Sequence, residues 1–254
     1  MLYLPPEKKP AADTRLPRLP TAPLIKDWPA FFAQAADQAQ DVRLKRFYQA
    51  GVPDSQTPLE AVPLLAIDFE TTGFNPRKDG IVSIGLIPMT LQRIRCQGAQ
   101  YWVVRPRSQL DADSVVIHGI THSEIQTAPD LNRCLDDLLR AMAGQVIVVH
   151  HQGIERSFLD AALKARLGEG IQFPVIDTMA LEARLHRDKR LPWWQRLLGK
   201  KPPSIRLADS RSRYGLPYYR PHHALTDALA TAELLQAQVA HRFSPQTPVS
   251  ELWM

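Results

Sequence analysis

Apolar side chains along this chain change their period several times. Between Trp28 and Ala50, Phe31, Phe32, Ala35, Ala36, Ala39, Val42 and Phe47 recur at the spacing of one helix face, predicting a helix and a short second one that ends near Gly51. Val62-Pro-Leu-Leu-Ala-Ile-Asp-Phe-Glu70 is apolar almost without a break, as a strand covered on both faces in mid-sheet must be. Asn75 to Gly80 is rich in turn formers, and Ile81 to Met89 predicts a second strand. Two more are expected at Gln92 to Cys96 and Tyr101 to Arg105, completing an antiparallel meander. Helix and strand then alternate: a helix over Leu131 to Ala143, a buried strand over Gln145 to His150 and a helix over Gly153 to Leu167. An edge strand at Pro174 to Ile176, a helix over Thr178 to Arg187 and a closing helix from Ala224 to His241 follow. A meander followed by strand–helix units predicts a mixed-sheet α/β domain.

Outside these elements the texture is different. Met1 to Pro29 holds seven of the 22 prolines and no period. Residues 1–60 therefore read as a Pro-rich arm with a short helical appendage, 61–242 as the main domain and 243–254 as a flexible tail. No run of 18 apolar residues exists and Met1 to Pro10 has no apolar signal core, so the expected address is cytoplasmic. Cys96 and Cys134 are too few for a disulfide framework or a zinc site and are expected to be small buried side chains.

The net charge of +5 is not spread evenly. Ten of the 31 lysines and arginines lie between His186 and His222, against two of the 26 acids, so the rest of the chain is slightly acidic. Trp193, Trp194, Tyr214, Tyr218 and Tyr219 are interleaved with these cations, a composition suited to the backbone and bases of a single-stranded nucleic acid. Two other readings stay open for the segment: Leu191 to Lys201 as an interfacial membrane helix, and a solvated lid.

The strongest chemical signal is in the acids. Asp68 and Glu70 are two apart at the end of the first strand, so both point to one face and Phe69 to the other. Two carboxylates on one wall repel unless a cation sits between them, and hard oxygen donors favour Mg²⁺ or Mn²⁺ over zinc. Thr71-Thr72-Gly73 allows a tight turn beside that wall, leaving room for a substrate. Glu155 falls in the first turn of the helix after the buried strand, and Asp227 near the start of the closing helix behind His222 and His223. Four carboxylates carry the charge that two divalent ions would balance, the electrostatic condition of a two-metal phosphodiester site.

These residues carry a resemblance. Asp68-Phe-Glu70-Thr-Thr-Gly73, His150-His-Gln-Gly-Ile-Glu155-Arg-Ser-Phe-Leu159 and His222-His-Ala-Leu-Thr-Asp227-Ala, in that order, resemble the three exonuclease motifs of the DEDDh family, the family of the proofreading epsilon subunit of bacterial replicative polymerase and of ribonuclease T. The likeness runs from about Val62 to His241 and includes Ile117-His-Gly-Ile-Thr121. It implies a ribonuclease H-like mixed five-stranded sheet flanked by helices, and a 3'-5' exonuclease releasing nucleoside monophosphates from single-stranded DNA, with RNA ends also allowed. It further implies two Mg²⁺ or Mn²⁺ ions held by Asp68, Glu70, Glu155 and Asp227, with His222, five residues before the last aspartate, as general base and His223 as a bystander. Phe69, Thr71, Thr72, Gly73 and His118 are the implied substrate contacts, joined by Lys200 and Lys201 of the basic segment. His150 and His151 read as structural or as supports to the site. The implied partners are nucleic acid 3' ends and a polymerase or other replication or repair protein. Glu155 departs from the family pattern, which has an aspartate there. The alternative from another class is a catalytically weak nucleic-acid-binding or scaffold subunit that keeps the fold.

Overall fold

The computed structural model describes residues 25–107, 120–186 and 203–254. The N-terminal arm, His118, and Lys200 and Lys201 with the tryptophans before them lie outside the described residues. Strands β1 (Leu64–Thr71), β2 (Ile81–Met89), β3 (Gln100–Val103), β4 (Val146–Val149) and β5 (Val175–Asp177) form one sheet in the order β3-β2-β1-β4-β5. The β1–β2 and β2–β3 pairs are antiparallel, and the β1–β4 and β4–β5 pairs are parallel. The apolar run of β1 thus takes the central place, where every residue but Asp68 is buried.

A strand expected at Gln92 to Cys96 does not form. Thr90 and Arg93 exchange backbone hydrogen bonds of 2.8 and 3.3 Å in a tight turn, Ile94 makes a single bridge to Met89, and a 3₁₀ turn follows at Cys96–Gly98. Between Gln92 and Cys96 only Ile94 is strongly apolar, too little for a strand with a face to bury. Cys96 is exposed, against expectation, whereas Cys134 is buried.

Helices cover both faces of the sheet. They are α1 (Trp28–Gln38), α2 (Val42–Gln49), α3 (His122–Thr127), α4 (Leu135–Met142), α5 (Gln152–Leu167), α6 (Thr178–His186), α7 (Leu207–Arg213) and α8 (Ala224–Arg242). Helix α1 starts where Asp27 accepts the Ala30 N–H at 2.9 Å, an N-cap followed by Pro29 in the first turn. The α1–α2 hairpin belongs to the domain core: Trp28, Phe32, Leu44 and Phe47 share one buried cluster with β1, β4 and Leu135, Leu139 and Met142 of α4. Arg156 of α5 ties this hairpin down. Its guanidinium lies 5.3 Å from the Trp28 ring centre, donates to the Phe173 carbonyl at 3.0 Å and reaches the Met254 carbonyl.

The flexible tail expected over residues 243–254 is instead folded onto the domain. Val249 and Leu252 are fully buried, Leu59 donates to the Thr247 carbonyl, and Met254 pairs with Val175 by backbone hydrogen bonds along the edge of β5. The segment lacks a helix or strand period because it packs as single anchor residues between turns.

Candidate active site

The acids meet where β1, α5 and α8 come together. Within β1, Asp68 pairs with Gly85 of β2 and Glu70 with Ser83, so both carboxylates rise from the face that α8 covers, while Phe69 is buried in the core below. Gly85 makes the approach of α8 possible: a Cβ there would stand 2.3 Å from the backbone of Ala224 and Leu225. With no side chain opposite Asp68, the first turn of α8 settles against the sheet and brings in Asp227.

Glu70, His222 and Asp227 converge so closely that one ligand atom from each lies within 4.8 Å of the others. His222 precedes α8 in a left-handed conformation (φ 70°), and its N–H donates to Asp227 Oδ2 at 2.8 Å. Its side chain is exposed, on the open side of the cluster.

Glu155 arrives from the first turn of α5 and is 3% exposed, with Oε2 lacking a hydrogen-bond partner among the described residues. Burial pushes its pKa up, and the charges of Asp177 and Glu70 push it further. The Asp68 carboxyl is raised by burial and then by Glu155, Glu70 and Asp227, and that of Asp227 by burial and Glu70. The four carboxylates thus lie close enough for their charges to raise the pKa values of Asp68, Glu155 and Asp227, and one oxygen of Glu155 is buried without a hydrogen-bond partner among the described residues. This donor set of hard oxygens and one imidazole fits divalent ions of the magnesium or manganese class.

The other expected site residues divide. Thr71 donates to the Gly73 carbonyl at 2.7 Å, and Thr72 Oγ1 accepts the Gly80 N–H at 3.0 Å. Both side chains therefore build the turn after β1. A Cβ on Gly73 would stand 2.6 Å from the Asp79 carboxylate, so a larger residue there would displace that side chain from the turn. Phe74, next along in this turn, is 58% exposed. His150 is locked between the Thr178 hydroxyl (2.8 Å) and the Ile205 carbonyl (3.1 Å), and burial lowers its pKa to about 4. A neutral ring with those partners is structural. His223 stacks on Tyr101 with ring centres 4.7 Å apart, and its Nδ1 caps α8 at the Thr226 N–H. Asp160, five residues past Glu155, accepts from Ile171 N–H and pairs with Lys164, away from the cluster.

Two residues of consequence were missed in the sequence. Asp177 accepts the His151 and Gln152 N–H groups at 3.1 and 3.0 Å and the Met179 N–H at 2.9 Å, joining the starts of α5 and α6. An aspartate directly before a predicted helix is an N-cap signal that could have found it. Nothing in the local pattern marks Gly85, since its role exists only once α8 lies across β2.

Half of the basic segment's described cations are structural. Arg211 is 3% exposed, bonded to the Ala230 carbonyl at 2.6 Å and paired with Glu233. Arg213 and Tyr214 both bind the buried Glu182, and Tyr219 donates to Glu233. Counting charge along the chain had made these arginines look free.

The sequence of residues 65–235 matches the RNase_T exonuclease family. The chain belongs to that family. Among relatives of this RNase_T-family exonuclease, DNA polymerase III subunit epsilon of Treponema pallidum is 26% identical over 182 residues, 72% of this chain and 79% of that protein. The PolC-type DNA polymerase III of Thermotoga maritima is 28% identical over 175 residues, 67% of this chain but 11% of the polymerase. The exonuclease therefore spans only a small part of its PolC-type relatives. The nuclease domain of 3'hExo, a DEDDh family member bound to rAMP, superposes with a TM-score of 0.56 at 17% identity, covering 71% of this chain and 92% of that one. Exonuclease X in complex with 5' overhanging duplex DNA gives 0.53 at 21%, covering 73% and 96%. These likenesses establish the ribonuclease H-like fold expected from the motifs. No helix of the described residues is long and apolar enough to cross a membrane.

Proposed function

We propose that this chain is a metal-dependent 3'-5' exonuclease that removes nucleoside monophosphates from single-stranded DNA or RNA ends. The observation that carries the reading is the convergence of Glu70, His222 and Asp227 within 4.8 Å, with Asp68 and the unpaired Glu155 oxygen beside them. Asp68, Glu70, Glu155 and Asp227 would hold the divalent ions between them. Bound there, the ions supply charge stabilisation at the phosphate and a lowered pKa for water.

The side chains do the rest. Glu70 orients the water for in-line attack on phosphorus, and His222, exposed on the solvent side, takes its proton. The P–O3' bond breaks, the 3' oxygen takes up a proton from solvent and stays on the shortened strand, and the released nucleotide keeps the phosphate. The exposed ring of Phe74, beside the turn that Thr71 and Thr72 hold, offers a stacking surface for a terminal base. The relative named DNA polymerase III subunit epsilon supports a polymerase as the working partner.

The deciding experiment follows 5'-labelled and 3'-labelled oligonucleotides of DNA and RNA with Mg²⁺, Mn²⁺ or chelator. A ladder from the 5' label and immediate mononucleotide release from the 3' label, both abolished by chelator, are expected. A folded sample that shortens neither polymer with either ion would leave the nucleic-acid-binding subunit as the better reading.

A further inference from the structure

A second concave surface lies beyond the acid cluster, between the turn at residues 73–80 and the second half of α5. It encloses about 220 Å³. One wall is formed by Arg77 and Lys78, on the turn that continues directly from Thr71-Thr72-Gly73. The opposite wall is α5 through Phe158, Ala162 and Arg166, which lie on the helix face that starts with Glu155. Arg107 closes a third side and is held in place by donating to the Ala165 carbonyl at 2.6 Å.

The charges do not cancel. Arg166 is committed to Asp130 through two bonds of 2.9 Å. The carboxylate lining the cleft, Asp79, is turned inward to accept the Asn75 N–H at 2.7 Å. Arg77 and Lys78 are exposed and make no ion pair among the described residues. Three cations therefore face one occupied carboxylate over an apolar floor, which is the chemistry of an anion site. Its distance from the catalytic cluster is also informative. Ala162 is seven residues beyond Glu155, about 10 Å along the helix, so both walls grow out of elements that carry catalytic carboxylates.

We propose that this cleft is a second phosphate subsite, which holds a phosphodiester of the substrate strand upstream of the one being cut, with Arg77, Lys78 and Arg107 as its cations. The proposal rests on the exonuclease reading above, and its test separates the two. Thymidine 5'-(p-nitrophenyl phosphate), which has a single phosphodiester, and a twelve-residue oligothymidylate are compared as substrates of the wild type, R77Q/K78Q and R107Q. For the oligonucleotide KM rises about tenfold in the variants with kcat little changed, as expected for loss of charge-assisted contacts. Hydrolysis of the ester stays at the wild-type level.

Binding supplies a readout independent of turnover. In chelator, anisotropy titrations of the labelled 12-mer over a salt series give log K a slope shallower by about 0.7 in R77Q/K78Q, the change for one lost phosphate contact on a single strand. Equal KM values for the 12-mer, or parallel losses on ester and oligonucleotide, overturn the proposal. So does a calorimetric titration in which the variants lose inorganic phosphate binding while cleaving the 12-mer with unchanged KM, since the cleft would then hold a free anion. A wild type that cleaves neither substrate refutes the exonuclease reading, and the salt slope still decides the cleft.

Discussion

Two histidines at this site sit in backbone conformations that side-chain-bearing residues rarely adopt: His151 at φ 103° and His222 at φ 70°. Such conformations cost of order 1–3 kcal/mol each and persist only where neighbours enforce them. Here an aspartate enforces each, Asp177 accepting the His151 N–H and Asp227 the His222 N–H. The strain at His222 places its ring beside Glu70, so the same hydrogen bond that shapes Asp227 also aims the proposed base. Asparagine tolerates this backbone but cannot serve as the base. His222→Asn should therefore lower turnover by about 10²-fold or more with an unchanged melting temperature; a variant that keeps its rate removes His222 from the chemistry. His223 has a different task, stacking on Tyr101 and capping α8. His223→Ala should cost about 1 kcal/mol in urea unfolding and leave the pH profile of the reaction in place.

At the scale of elements, the site depends on how closely α8 can lie on β2. Gly85→Ala places a methyl group 2.3 Å from the α8 backbone, an overlap that a rotamer change cannot relieve. The helix must move and carry Asp227 with it, so a loss of about 1–3 kcal/mol in stability is expected, together with weakened Mn²⁺ binding by calorimetry. A variant with full metal affinity would show that α8 is placed by its remaining contacts with β1. The α1–α2 hairpin is legible in its apolar spacing, but its attachment through Arg156 is not. That side chain combines the Trp28 ring, the Phe173 carbonyl and the Met254 carbonyl, three points distant in sequence. Burial lowers its pKa to about 10, so it stays charged at neutral pH. Arg156→Met should loosen α1 and the C-terminal segment together, which hydrogen exchange would register as a joint loss of protection in residues 28–38 and 249–254. Exchange confined to one of the two would uncouple them.

For the molecule as a whole, the carboxylate cluster sets a pH dependence. Asp68, Glu155 and Asp227 have folded-state pKa values above their ordinary 3.8 to 4.5, so the folded protein binds more protons than the unfolded chain in the interval above those values. Their contribution is present in mild acid and is lost as pH rises through the raised values. Asp130, held down by Arg166, acts in the opposite sense, losing its contribution only as pH falls below the ordinary carboxylate range. His150, neutral with a pKa of about 4, acts against them by costing stability as pH falls below the ordinary histidine value. In chelator Glu155→Gln should therefore raise the melting temperature more at pH 8 than at pH 5, and Mn²⁺ should stabilise the wild type at pH 8 by binding the folded state. An equal shift at both pH values would contradict this. Much of the molecule was already legible in one dimension. The unbroken apolar run of β1 told its central place, the period of two put Asp68 and Glu70 on one wall, and ordered motifs named Glu155, His222 and Asp227, because periodicity and local chemistry are properties of neighbours in the chain. What remained undecided belonged to neighbours in space. Gly85 matters only under α8, Asp177 only between two helix starts, and Arg211 and Arg213 became internal struts only when Glu233 and Glu182 were brought to them. The C-terminal segment, without a period of its own, found its partners along Val175 and Leu59. Burial and pairing are set by packing across the whole domain, so tertiary structure alone could decide which charges were spent and which were left for a substrate.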